Sequence, residues 1–314
     1  MLRPTVSLRA YRRVSWACLV SLYAIIVTGS MVRLSGSGLG CTDWPRCSDQ
    51  HFVDVSTMHA AIEQINRLFT GFVAIAVIAA ALLSLLLQPR QRQITWLSLG
   101  LVAGVVAQVL IGAIVVISGL HPGFNMAHFL VSILLVTTSF ALLCQVRRLQ
   151  LRSSCVADDL LISARTEGGE ISRRTRRLII LIVALVLGAL IAGTVVTGSG
   201  PHAGDETAPR FPFSIQGATR VHSVVVWVVL ASVIVLFRRI RRHSGEWRLL
   251  SRAVETLMVA LLSQGFLGYF QYYLGVPAGL VAIHVGVSVA VWITALTLLD
   301  RARISVSIRQ FVLD

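Results

Sequence analysis

Eight stretches of the chain, at roughly 14–33, 62–87, 94–118, 125–146, 177–197, 217–237, 253–273 and 278–299, are predominantly apolar. Each is long enough to cross a ~30 Å hydrocarbon core as a helix. Backbone in lipid must satisfy its own hydrogen bonds, so a chain made of such runs folds as packed helices. Of 314 residues only 13% are charged and 55% are hydrophobic, against about 25% charged in a soluble domain. The pattern predicts an all-α integral membrane protein with eight transmembrane helices.

The net charge is +14 and every basic residue is arginine. Placing the amino terminus in the cytoplasm puts 23 of the 28 arginines on that side and leaves Arg33, Arg46, Arg67, Arg210 and Arg220 at the outer side. Such a bias predicts cytoplasmic amino and carboxy termini. The charge therefore orients the chain in a lipid bilayer and gives no reason to expect nucleic acid. The first apolar run exceeds the usual length of a signal-peptide core and no small-residue cleavage site follows it, so it is expected to remain as a helix. With no long Arg/Ser-rich transit segment, the expected location is a prokaryotic plasma membrane.

The chain also repeats itself. "AQVLIG" (107–112) resembles "SQGFLG" (263–268), an offset of 156 residues that pairs Gln108 with Gln264 and Gly112 with Gly268. The same offset takes Gly119 to Gly275, Gly123 to Gly279, His128 to His284, Ser132 to Ser288, Thr138 to Thr294 and Asn66 to His222. Upstream, "GSMVRLSGSG" (29–38) echoes "GTVVTGSG" (193–200) with a small shift. Two pseudosymmetric four-helix bundles follow: a unit over 1–146, an Arg-rich cytoplasmic linker over 147–176 and a unit over 177–314. An even number of spans per unit gives both the same orientation. Gly100 and Gly104 form a GxxxG whose reading is close helix packing.

His222 and His284 are single imidazoles in the otherwise apolar second and fourth runs of the later unit. Facing helices of a bundle build cofactor sites in this way, and two imidazoles on opposite faces of a haem are a common axial ligation. Packing or proton-relay roles remain alternatives. In the first unit His128 corresponds to His284, whereas the position of His222 is held by Asn66, a poor iron ligand. His59 lies two turns before Asn66 on the same face, about 10 Å of rise away. It either reaches the first site or hydrogen-bonds Glu63. Two similar cavities with unlike iron chemistry are expected: one saturated, suited to electron transfer, and one with an open position.

Glu63 corresponds to Thr219 in the other unit. A carboxylate in one copy alone suits proton relay or stabilisation of charge during oxidation. The competing reading is an i,i+4 ion pair with Arg67. Arg33 and Arg220, at outer helix ends, are placed to meet haem propionates or to snorkel to the interface. His51, His121, His202 and His243 fall in loops without an assigned role. Of the five cysteines, Cys41 and Cys47 share the outer loop "GLGCTDWPRC", where oxidation is favoured. They are expected to form a disulfide or to remain two free thiols. Cys18, Cys144 and Cys155 lie elsewhere.

Taken together, "TGSMVRLSGSGLGCTDWPRC", "HAAIEQINR", Gln108…Gly112…His128, "TGSGPHAGD", "TRVH" at His222 and Gln264…Gly268…His284 resemble the haem A synthase family over essentially the whole chain. The resemblance implies two pseudosymmetric four-helix halves, with haem b in the carboxy-terminal half and a substrate haem in the amino-terminal half. It implies oxidation of a haem O methyl group to the formyl group of haem A, by successive hydroxylations and loss of water, for a terminal oxidase. Many members read E-x-x-H-R where this chain reads Glu63-Gln64-Ile65-Asn66-Arg67, and the form with Asn resembles an actinobacterial branch. A haem O-producing farnesyltransferase and an unnamed electron donor are the partners to expect. The rival is a di-haem b, quinol-linked electron-transfer protein without oxygenase activity. A transporter is a weaker reading, since half-helices and central charges are missing.

Overall fold

The computed structural model describes residues 5–152 and 171–313. Residues 153–170, which include Cys155 and the middle of the expected linker, lie outside the described residues. Eight helices occupy the described residues: α1 (Leu8–Leu34), α2 (Met58–Ser84), α3 (Arg92–Ile117), α4 (Pro122–Arg152), α5 (Arg173–Ser199), α6 (Ile215–Arg241), α7 (Ser244–Tyr273) and α8 (Ala278–Leu313). All eight are long and apolar enough to span a membrane, and no β-strand occurs among the described residues. The protein is a multi-pass membrane protein.

Local sequence sets several helix ends. Ser7, Thr57, Ser172 and Ser214 each accept a hydrogen bond from the backbone N–H three residues on, capping α1, α2, α5 and α6. The ends of α3 and α7 are the same turn at the 156-residue offset. Gly119 and Leu120 both have φ of 62°, and Gly275 and Val276 have φ of 77° and 62°. The Leu120 N–H donates to Val115 O at 2.8 Å and the Val276 N–H to Gln271 O at 2.7 Å, which is the six-to-one bond of a Schellman ending. Glycine supplies the first left-handed residue without steric cost.

Helix α1 packs on α2 and α4, and α3 lies between α2 and α4. In the same way α5 packs on α6 and α8, and α7 lies between α6 and α8. Contacts of α1 with α8, and of α4 with α5 and α8, join the two rings. The core between them is apolar, with Leu142, Val136, Val289, Ala295 and Leu298 buried. Several polar groups tie the helices together. Tyr11 donates to Ala80 O at 2.9 Å and shares a 2.8 Å bond with Ser98, tying α1 to α2 and α3. Across the rings, Tyr23 donates to Gly286 O at 3.0 Å, Trp292 Nε1 donates to Thr137 Oγ1 at 2.8 Å, and Arg148 pairs with Asp300. Gly104, of the expected packing motif, stands where a Cβ would come within 2.5 Å of Leu135, so α3 and α4 approach closely there.

Candidate functional site

His222 and His284 stand on α6 and α8, opposite corners of the second ring. The His222 ring is oriented by its Nδ1, which lies 3.1 Å from Ala189 O on α5. That leaves Nε2 free, the arrangement by which a backbone carbonyl fixes the tautomer of a ligating imidazole. The carbonyl of His284 accepts from Gln264 Nε2 on α7 at 2.9 Å. Its Nδ1 is buried and has no hydrogen-bond partner, a state that buried polar atoms rarely keep without a ligand or water. Each imidazole lies flush against a glycine of the neighbouring helix. A Cβ at Gly193 would stand 3.3 Å from His222 Cε1, and one at Gly268 would stand 3.1 Å from His284 Cε1.

The first ring repeats this cradle with one change. On α4 the His128 carbonyl accepts from Gln108 Nε2 at 3.0 Å, and Gly112 on α3 would place a Cβ 3.7 Å from His128 Nε2. Opposite, on α2, Asn66 Nδ2 is 3.9 Å from the Cβ position of Gly29, and Asn66 Oδ1 accepts from Thr28 Oγ1 at 2.9 Å. The residues suit a haem. No group of three or more His, Cys, Asp or Glu side chains gathers among the described residues as a bare ion would need. A porphyrin brings four nitrogens of its own and asks the protein for one or two imidazoles in a narrow slot. His222 and His284 could supply two, and His128 one.

Glu63 sits in the second turn of α2 and is 6% exposed. Its Oε1 accepts from Arg67 Nε at 3.0 Å and Nη2 at 2.6 Å, and its Oε2 accepts from the Cys41 N–H at 2.8 Å. Arg67 continues to Asp43 O at 3.2 Å and Arg46 O at 3.2 Å. The ion pair with Arg67 is therefore present, and it holds the cysteine loop down on α2. Cys41 and Cys47 form a disulfide and both are buried. Gly40 is pressed on the same helix so closely that a Cβ would meet His59 O at 2.3 Å.

His59 is not paired with Glu63. Its Nδ1 lies 2.9 Å from Ser37 Oγ. Asp205, in the loop after α5, has its carboxyl held below the usual range mainly by the Thr207 hydroxyl and amide, with the nearby His59 contributing less. His59 thus belongs to the cap that joins the loops after α1 and α5. The Gly38 N–H donates to Gly204 O at 2.9 Å within that cap. Arg33 donates to His202 O at 2.7 Å, and the His202 ring bonds Val276 O at 2.8 Å. Arg220 is exposed on α6. Sequence reasoning left His202 without a role and passed over Thr28, although His202 stood inside a quoted motif and Thr28 directly precedes the repeated glycine.

A family described as cytochrome oxidase assembly protein, COX15-CtaA, matches residues 12–296. The heme A synthases of Bacillus mycoides (strain KBAB4) and Bacillus cereus (strain AH187) are each 28% identical over 139 residues, which is 43% of this chain. The chain spans 45% of the length of these curated relatives in those matches. The match over 12–296 takes in both histidine-bearing rings and the cysteine loop, and the chain belongs to the haem A synthase family of cytochrome oxidase assembly proteins.

Proposed function

We propose that this protein works in haem A biosynthesis as a haem A synthase, oxidising a methyl group of haem O to the formyl group of haem A. The observation that carries the reading is the repeated glycine backing, of His222 and His284 in one ring and of His128 and Asn66 in the other. In this reading the chain comprises an amino-terminal unit (1–146) for the substrate haem, a linker (147–176) and a carboxy-terminal unit (177–314) for haem b. His222 and His284 hold haem b, and His128 holds haem O. When bound, haem b supplies one-electron transfer. Two hydroxylations of the methyl carbon consume two O2, four electrons and four protons, release two waters and leave a hydrated aldehyde. Loss of a third water gives the formyl group. The electrons come from an external donor, and haem O comes from a farnesyltransferase or through the lipid.

The chain's own residues do the positioning. Gln108 and Gln264 brace the backbone of the two α4 and α8 histidines, and the glycines let the rings lie flat on adjacent helices. Glu63 and Arg67 clamp the cysteine loop over the first unit, excluding water from that end, and Glu63 is the buried carboxylate on α2 that would move a proton there. Arg33 retains donors beyond its bond to His202 for a haem carboxylate, and Arg220 is free to meet one at its exposed position. The cysteine loop then faces outward and both termini face the cytoplasm of a prokaryotic cell.

The occupancy of both Glu63 oxygens by Arg67 and Cys41 favours a second reading, a di-haem b electron-transfer protein. Reconstitution separates the two. Purified protein given haem O, reductant and oxygen should yield formyl-bearing haem A on pigment extraction. Haem O recovered unchanged, while both bound haems reduce and reoxidise, would establish the electron-transfer reading instead.

A further inference from the structure

The two rings differ at one wall, and the difference reaches beyond Asn66. Helices α1 and α5 correspond at an offset of 164 residues. Tyr11, Ser15, Cys18, Leu22 and Ile26 are buried on α1, and Thr175, Ile179, Ile182, Val186 and Leu190 are buried at the matching places on α5. The same offset takes Gly29 to Gly193, and these glycines back Asn66 and His222 respectively. It takes Ile25 to Ala189 and Thr28 to Ala192.

In the second ring the carbonyl of Ala189 lies 3.1 Å from His222 Nδ1 and so aims Nε2 inward. In the first ring the corresponding carbonyl, Ile25 O, is 3.3 Å from the Thr28 hydroxyl. The same hydroxyl lies 2.9 Å from Asn66 Oδ1, the shorter of the two contacts, so its one hydrogen is shared between the two acceptors. At the Thr28 position the second ring has Ala192, whose methyl group carries no donor. The wall carbonyl that anchors an imidazole in one ring is thus covered by a hydroxyl in the other, and the hydroxyl takes the amide oxygen as well.

We infer that Thr28 is a positioning residue that commits the first site to an amide at position 66. By holding Oδ1 it fixes which way the Asn66 amide is turned, and by bonding Ile25 O it competes with an imidazole for the anchor that His222 has. The histidine template of position 222 therefore needs two residues, His with a small apolar neighbour on the adjoining helix. In an isolated Asn66→His the ring has to compete with the Thr28 hydroxyl for Ile25 O. The inference rests on the reading that these slots bind haem.

The test is the low-spin bis-imidazole haem signal, by absorption and electron paramagnetic resonance, of the purified full chain with the haem it carries. The wild type should show one such signal per chain, from the second ring. Asn66→His alone should leave it near one, and Thr28→Ser with Asn66→His should do the same because the hydroxyl remains. Thr28→Ala with Asn66→His should raise it toward two. Equal signals in the single and the Thr28→Ala double variant, whether one or two, would overturn the role of Thr28. A wild type without any bis-imidazole signal would overturn the haem-site reading itself. Persistence of the second-ring signal reports that a variant is folded. Should the double variant lose it, Thr28→Ala alone decides: the first-site haem spectrum should shift while the second-ring signal stays, and an unchanged spectrum overturns the inference.

Discussion

Glu63→Gln tests what the buried carboxylate does. In the native structure one oxygen takes two Arg67 donors and the other takes the Cys41 N–H. A glutamine has a single acceptor oxygen. Turned toward Cys41, it sets an NH2 against the Arg67 guanidinium, donor against donor. Turned toward Arg67, it sets the NH2 against the Cys41 N–H. One side of the clamp is lost in either rotamer, and the ion pair loses its charge. The side chains of Arg67 and Glu63 are 20% and 7% exposed, so the pair lies between a surface bridge, worth about 0–1 kcal/mol, and a buried one, costing about 3–5 kcal/mol to break. A loss of about 2–3 kcal/mol in the local closing of the loop is expected. At about 1.4 kcal/mol per tenfold change in an equilibrium, the Cys41 amide should exchange with solvent deuterium roughly 30- to 150-fold faster, since local opening governs its protection. Amides in the middle of α3 serve as the internal reference and should not move. A Cys41 exchange rate within about twofold of wild type would refute the clamp, whatever happens to turnover.

Removing either imidazole of the second ring, by His222→Ala or His284→Ala, should abolish the low-spin bis-imidazole signal while the helix content measured by circular dichroism stays; a full signal in both variants would refute their pairing. Gly268→Ala puts a Cβ 3.1 Å from His284 Cε1, and overpacking of this kind costs about 1–3 kcal/mol, so thermal stability should fall and the haem spectrum should shift. Gly265→Ala, with no atom within 4 Å of its Cβ, is the control expected to do neither. Opening the Cys41–Cys47 bridge, which spans 6 residues of sequence, removes only about 2 kcal/mol of loop-closure entropy. Cys41 and Cys47 should resist thiol reagents in native membranes until reduced, and labelling of both without reductant would contradict the buried disulfide.

Much of the architecture is legible in the chain. Eight runs of spanning length become eight helices because lipid leaves backbone no other way to pair its polar groups. Helix caps at Ser7, Thr57, Ser172 and Ser214 follow from side chains able to accept an orphan N–H. Gly119 and Gly275 stand where a left-handed residue ends a helix, and their fixed spacing marks equivalent turns before any coordinate is known. The positions of His128, His222 and His284 are readable for the same reason, as lone imidazoles are costly in apolar helices and stand out there.

The partners of the remaining side chains were decided by tertiary structure. Glu63 reads from its own helix as a partner for Arg67 at i+4, and that much is local. Its second partner, the Cys41 N–H, depends on how an irregular loop of small and polar residues settles over α2, which no periodicity encodes. His59 shares a helical face with Glu63 and yet bonds Ser37, because Gly40 lets the loop touch the helix backbone there. Arg33 finds His202 O across 169 residues of sequence, at a meeting of two caps that only the packing of the rings brings together. Thr28 is one hydroxyl in a helix interior, indistinguishable in sequence from any threonine bonded to its own backbone. Its meaning arises because α1 is packed beside α2 at the height of Asn66. Sequence patterns determine which face a helix buries through the free energy of desolvation, while the choice among nearby polar partners turns on ångström-scale distances that close packing alone sets.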